Sequence, residues 1–256
     1  MTWVQGPPSA QQALDIFKGE WASVLPPPFD HLRAGTSLLF SPDHLKWGLE
    51  FLGGVSGKRV LELGPLEGGH SYVCDRMGAR EVIAIEGNAR AFLKCLIAKD
   101  LVGMPSVRFL HGDFMDYLRA NEGERFDVSV ASGVLYHMTN PAELIARLSA
   151  VSSRAYFWTH YYDADRMATN PRVVLRKVTP IASTHEGFGH RLYRHEYGDA
   201  RAMAGFCGGR SKYSYWMSRQ DIIDCLRYFG FKQVDIAFEQ PDHVNGPCMS
   251  IAALKP

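Results

Sequence analysis

The chain has 256 residues, 46% hydrophobic and 21% charged, an ordinary globular composition long enough for one or two domains and a sizeable core. Lysine and arginine (28) balance aspartate and glutamate (27) to a formal charge of +1. No bulk pull toward nucleic acid or an acidic membrane is therefore expected. No run of about 18 apolar residues is long enough to cross a membrane, and residues 1–8 lack the basic and apolar regions of a signal peptide. Five cysteines without a CxxC pair predict buried thiols in a reducing compartment, the cytoplasm.

Ala13, Leu14, Phe17 and Trp21 recur at helical spacing and predict a helix over 10–21. Three prolines at 26–28 end that segment, and Ser41-Pro42 predicts a second helix, with Ser41 as N-cap and Pro42 at the first helical position. Residues 1–57 thus read as an N-terminal helical cap. From residue 58, strand-like runs at 60–63, 81–85, 106–110, 126–130 and 154–159 alternate with helical periods at 69–77, 88–101 and from Pro141. That rhythm is the mark of βαβ units and a parallel sheet. Residues 160–216 break it with a dense set of aromatics and arginines and no sustained period. A helix over 218–228, stopped by Gly230, then leads to strands at 233–238 and 248–254. The expected fold is α/β: a seven-stranded, mostly parallel sheet with an antiparallel last strand and helices on both faces.

The strongest chemical signal is the strand-to-helix turn Glu62-Leu63-Gly64-Pro65-Leu66-Glu67-Gly68-Gly69-His70. Glycines there let a ligand approach the backbone, and the helix start offers free N–H groups. Glu86, at the end of the second strand, is placed to accept both hydroxyls of an adenosine ribose. The loop is not the GxGxxG of a dinucleotide site, because Leu66 stands where a pyrophosphate would need close approach.

Over residues 58–160 the chain resembles the class I S-adenosylmethionine-dependent methyltransferases. Motif I looks like Glu62-x-Gly64-x-x-x-Gly68, the ribose carboxylate like Glu86, the adenine-side loop like Gly112-Asp113-Phe114, and the segment after strand four like residues 131–137. The departure is Leu66, where many members have glycine. The resemblance implies a Rossmann-like methyltransferase domain over 58–256 with a substrate lid at 160–216. It implies S-adenosylmethionine held by Glu62, Gly64, Pro65, Gly68, Glu86, Gly87, Asp113, Phe114 and Ser132. The runs 17–21, 61–70, 136–138 and 158–162 further resemble bacterial sugar O-methyltransferases, such as those of mycobacterial methylmannose polysaccharide synthesis.

A hydroxyl acceptor needs a base near neutral pH, which suits histidine. His137 follows strand four and His160 follows strand five. His160 ranks ahead because Tyr161, Tyr162 and Asp163 continue from it as an amphipathic wall suited to a polyol, while His137 suits the methionine end of the cofactor. Tyr193 and Trp216 are candidates to stack on a sugar face. No metal site is assigned. His160, Asp163 and Asp165 are the candidates should Mg2+ take part, and the five-residue spacing of His185, His190 and His195 does not converge in regular structure. The expected partner is a small-molecule or saccharide acceptor, with no membrane, and a homo-oligomer is compatible with the sequence. Two other readings stand beside this one. The first is an RNA-modifying enzyme of the transfer-RNA wobble-uridine carboxymethyltransferase kind, suggested by Tyr136-His137-Met138 and opposed by the near-zero charge. The second is a cofactor-binding scaffold without catalysis.

Overall fold

Val60, Leu61, Glu62 and Leu63 are all buried on β1 (Arg59–Leu63), as a strand covered on both faces requires. The computed structural model describes residues 3–169, 178–203 and 205–256. The segments α1 (Ala10–Leu14) and α2 (Asp43–Phe51) precede β1, which leads into α3 (Gly69–Arg76), β2 (Glu81–Glu86), α4 (Ala89–Val102) and β3 (Val107–His111). Next come α5 (Phe114–Ala120), β4 (Val128–Ser132), α6 (Pro141–Val151) and β5 (Arg154–His160). After α7 (Ala164–Thr169) the chain makes β6 (Ile181–His185), β7 (Phe188–Glu196) and β8 (Tyr213–Trp216), then α8 (Arg219–Tyr228), β9 (Gln233–Gln240) and β10 (Cys248–Leu254).

Seven strands form one sheet in the order β3-β2-β1-β4-β5-β10-β9. The first five are parallel neighbours, and β10 runs antiparallel to both β5 and β9, so the expected fold is the observed one. The strand order reverses between β1 and β4, and a doubly wound sheet binds its ligand beyond the strand ends at such a point. One apolar layer packs α5, α6 and α8 on one face, and a second packs α2, α3, α4 and the N-terminal segment on the other.

Several details depart from expectation. The first helix ends at Leu14 and continues only as a 3-10 turn to Phe17, where Lys18 leaves the helical region at ψ 125°. Trp21 still reaches its buried position, its indole N–H donating to the Leu14 carbonyl at 2.9 Å. The second helix starts one residue late, with Pro42 extended as its N-cap. Residues 160–216 hold a second, three-stranded sheet, β6-β7-β8, although 170–177 and 204 lie outside the described residues. Four cysteines are buried as expected, but Cys207 is exposed.

Gly48 on α2 sets how closely that helix approaches the sheet: a Cβ there would lie 2.2 Å from the Tyr156 ring. That ring cannot retreat, since Tyr156 is fully buried and its hydroxyl is tied to His44 Nδ1 at 2.7 Å and Ser250 Oγ at 3.2 Å. Gly48→Ala is expected to destabilise the fold by about 1–3 kcal/mol through overpacking, read as a lower denaturant midpoint with unchanged slope.

Candidate active site

The turn from β1 to α3 is built around four residues. Gly64 takes φ 63° and lies against Val134, with 3.2 Å between its would-be Cβ and Val134 Cγ2. Pro65 offers its carbonyl to the N–H groups of Glu67 and Gly68. Gly68 caps α3 in the left-handed region at φ 82°, where a Cβ would lie 2.9 Å from Phe109, so glycine alone fits. Leu66 also takes a positive φ of 57°, an uncommon state for a side-chain residue. Its N–H donates to Glu86 Oε2 at 3.0 Å, which holds the loop over the end of β2.

Two buried carboxylates face this turn. Glu62 accepts from the Ser71 hydroxyl through Oε2, while Oε1 is buried without a hydrogen-bond partner, 3.8 Å from His70 Nδ1. Burial pushes the Glu62 carboxyl up to about 8 and the His70 imidazole down to about 3, so both are biased toward their neutral forms. Glu86 is 8% exposed and accepts from the Leu66 and Asn88 N–H groups. Burial raises its pKa, and the backbone donors partly oppose that rise.

On the far side of the β1–β4 reversal, β5 ends at His160, which is 4% exposed. Its Nδ1 lies 2.8 Å from the Gly246 carbonyl and 3.2 Å from that of Pro247. A carbonyl only accepts, so Nδ1 carries the proton and Nε2 keeps its lone pair. Burial holds the imidazole down to about 4, against those two carbonyls, which favour the protonated ring. Trp216 stacks on His160 at 5.3 Å and on His195 at 5.0 Å, while Tyr136 and Trp158 approach the His160 ring edgewise at 4.7 and 5.0 Å.

Residues 61–154 match the model of a family described as a methyltransferase domain. That stretch carries a methyltransferase domain. Among solved structures, it resembles the N-terminal domain of EvdMO1 in the presence of SAH and D-fucose, at 19% identity and a TM-score of 0.72, covering 96% of this chain and 94% of that one. It also resembles magnesium protoporphyrin IX methyltransferase from Synechocystis PCC 6803, at 16% identity and a TM-score of 0.54 over 84% of this chain and 81% of that one. Among curated proteins, a tRNA U34 carboxymethyltransferase from Campylobacter hominis is 26% identical over 133 residues, 50% of this chain. The chain spans 45% of that relative's length.

The methyltransferase domain fits its cofactor chemically. The orphaned Glu62 Oε1 is an acceptor suited to an ammonium, and Glu86 retains lone pairs for ribose hydroxyls beyond its two backbone bonds. The remaining residues predicted for the cofactor have mixed placements. Gly87 packs against the Gly112 carbonyl, and Ser132 ends β4 opposite Trp158. Asp113 is the N-cap of α5, accepting from Met115 and Asp116, and Phe114 is the first residue of that helix, packed on the core.

On the acceptor side, the fold separates residues that are adjacent in sequence. Tyr161 points into the core beneath α8 and donates to Glu239, which is also bound by Arg219, so it forms no wall with His160. Tyr162 and Tyr193 stack on each other at 3.6 Å. Trp216 stacks on both His160 and His195, so its ring is engaged in orienting His160. His137 bonds the Tyr197 hydroxyl through Nδ1 at 2.7 Å, and burial holds it down to about 3. Asp163 caps the α7 turn through the N–H groups of Asp165 and Arg166. Neither Asp163 nor Asp165 converges with His160; among the described residues, the group close enough to hold a metal is His160 with His243 and Cys248. The sequence reading missed His44 and His243, and gave no site role to His70, His195 or Trp158. Only Trp158 had a local signal, since it alternates with His160 on one strand face.

Proposed function

We propose that this chain transfers the methyl group of S-adenosylmethionine to a hydroxyl of a saccharide or glycoconjugate precursor, with His160 as general base. The observation that carries this reading is the commitment of His160 Nδ1–H to Gly246, which leaves Nε2 as a neutral base at the C-terminal edge of the sheet. When bound, S-adenosylmethionine supplies an electrophilic methyl and a neutral thioether leaving group. His160 Nε2 takes the acceptor's hydroxyl proton, and the carbonyls of Gly246 and Pro247 stabilise the imidazolium that forms. Trp216 Nε1 and His195 Nδ1 are buried beside it without hydrogen-bond partners, polar atoms that suit a hydroxyl-bearing acceptor better than an apolar one. Tyr136 and Trp158, both half-buried, supply aromatic faces for a sugar ring. The EvdMO1 domain, solved in the presence of D-fucose, agrees with this class of acceptor.

Turnover of labelled cofactor against mono- and oligosaccharides, small phenols and bulk transfer RNA tests the reading, and saccharide labelling is the expected result. The likeness to the tRNA U34 carboxymethyltransferase favours transfer RNA as a second acceptor class. Labelling of RNA that falls steeply with salt would replace the first reading by that one. Glu86→Ala is expected to weaken S-adenosylmethionine binding by about 1–3 kcal/mol through loss of charge-assisted bonds to the ribose, measured by calorimetry.

His160 is 4% exposed, so an acceptor enters only when its cover moves. The segment 206–209 lies nearby against the start of α4 and the turn after β4, where the Phe206 carbonyl accepts from Asn88 Nδ2 and a Cβ on Gly209 would lie 2.9 Å from the His137 carbonyl. Limited proteolysis is expected to cut within 197–212 in the free protein and to be slowed by SAH with acceptor. Equal cleavage in both states would leave the segment as passive structure.

A further inference from the structure

On the antiparallel pair β5 and β10, His160 stands directly opposite Cys248, so both side chains leave the same face of the sheet. The loop from β9 to β10 returns over that face and carries His243, whose ring centroid is 5.2 Å from that of His160. One imidazole nitrogen from each histidine and Cys248 Sγ lie within 4.8 Å of one another. His160 and Cys248 are buried, His243 is half-buried, and Cys248 is a free thiol.

We propose that His160, His243 and Cys248 form a binding site for a soft divalent cation of the zinc class, with its fourth position open to the acceptor cleft. The donor set decides the cation: one thiolate and two imidazoles suit Zn2+, whereas Mg2+ takes oxygen ligands. His160 is already arranged as a ligand. Its Nδ1–H is given to the Gly246 carbonyl, the outer bond that fixes the tautomer of metal-bound histidines and aims the other nitrogen at the ion. The same loop supplies both that carbonyl and His243. Its path is held by Gly246, at φ 107°, where a Cβ would lie 2.9 Å from the Trp216 ring. Loading releases the Cys248 thiol proton to solvent. It also gives up the 3.2 Å bond from the Asn245 N–H to His243 Nδ1, because a ligating imidazole keeps its one proton on the other nitrogen.

The site goes beyond methyl transfer and, if His160 is the base, competes with it, since a cation and an acceptor proton need the same Nε2 lone pair. The test contains no methyl transfer and stands apart from that reading. Full-length protein is stripped of metal and titrated with Co2+, in a Cys207→Ser background that removes the exposed thiol. One equivalent is expected to raise a thiolate-to-cobalt charge-transfer band, and one equivalent of Zn2+ is expected to abolish it. Cys248→Ser is expected to lose the band. His243→Ala, on a half-buried loop where refolding is not at stake, is expected to weaken binding roughly tenfold or more. Absence of the band, its survival in Cys248→Ser, or unchanged affinity in His243→Ala overturns the proposal.

Discussion

His160→Ala is expected to lower turnover by ~10²–10⁴-fold, the usual contribution of a positioned base, while S-adenosylmethionine affinity stays within a few-fold. Added imidazole is expected to restore part of the rate, which repair of a purely structural defect would not do. The pH profile carries a second signature. Only the neutral ring accepts a proton, so the rate rises with pH as the ring deprotonates. Burial holds that ionisation down to about 4, below the ordinary histidine value near 6.5. The wild-type rate is therefore expected to show no histidine limb around the ordinary value of about 6.5, and to fall only as pH approaches about 4. His137→Ala is expected to cost less turnover, because its ring is committed to Tyr197. An active His160→Ala beside a dead His137→Ala would move the base to the segment after β4.

Glu67→Ala is expected to destabilise the fold by about 3–5 kcal/mol, the cost of stranding one member of a buried ion pair. Glu67 is fully buried and Lys94 nearly so, with Nζ 2.6 Å from Oε1. The same carboxylate accepts the N–H groups of Ala22 and Ser23 at 2.8 Å each, and Lys94 also donates to the Glu20 carbonyl. One side chain therefore fastens the N-terminal segment to the glycine turn and to α4. For a chain of this size the loss corresponds to a fall in Tm of roughly 6–20 °C. Glu67→Leu with Lys94→Met, which removes both charges, is expected to recover only part of it, because the Ala22 and Ser23 N–H groups still lose their acceptor. A single variant that unfolds within a degree or so of wild type would show that the pair contributes nothing net.

The donor half of the site was legible because its signals are local. Glu62, Gly64 and Gly68 lie on one strand and its turn, and Glu86 ends the next strand, so chain spacing alone places them. Asp113 shows why the adenine side is harder to read: an aspartate before a short helix looks the same whether it binds a ligand or caps the helix, and here its Oδ1 caps α5. The inserted sheet was obscured because β7 alternates Phe188, His190 and Leu192 inward with Gly189 and Arg191 outward, a period carried by a histidine that reads as polar. The acceptor half depends on the register between β5 and β10 and on which way a loop returns. No spacing rule links His160 to Gly246, His243 or Cys248, nor Glu67 to Ala22 and Lys94.

The threading of β10 between β5 and β9 bears on how the chain is made. Synthesis delivers β5 long before β10, and domains form as their segments emerge. Until residues 248–254 arrive, a nascent chain holds a finished donor half beside a β5 whose outer edge, lined by Trp158 and His160, has no neighbour. Open edges of that kind template pairing between copies. Frameshift or stop changes beyond residue 240 are therefore expected to act as aggregation lesions, removing protein from solution instead of slowing its chemistry.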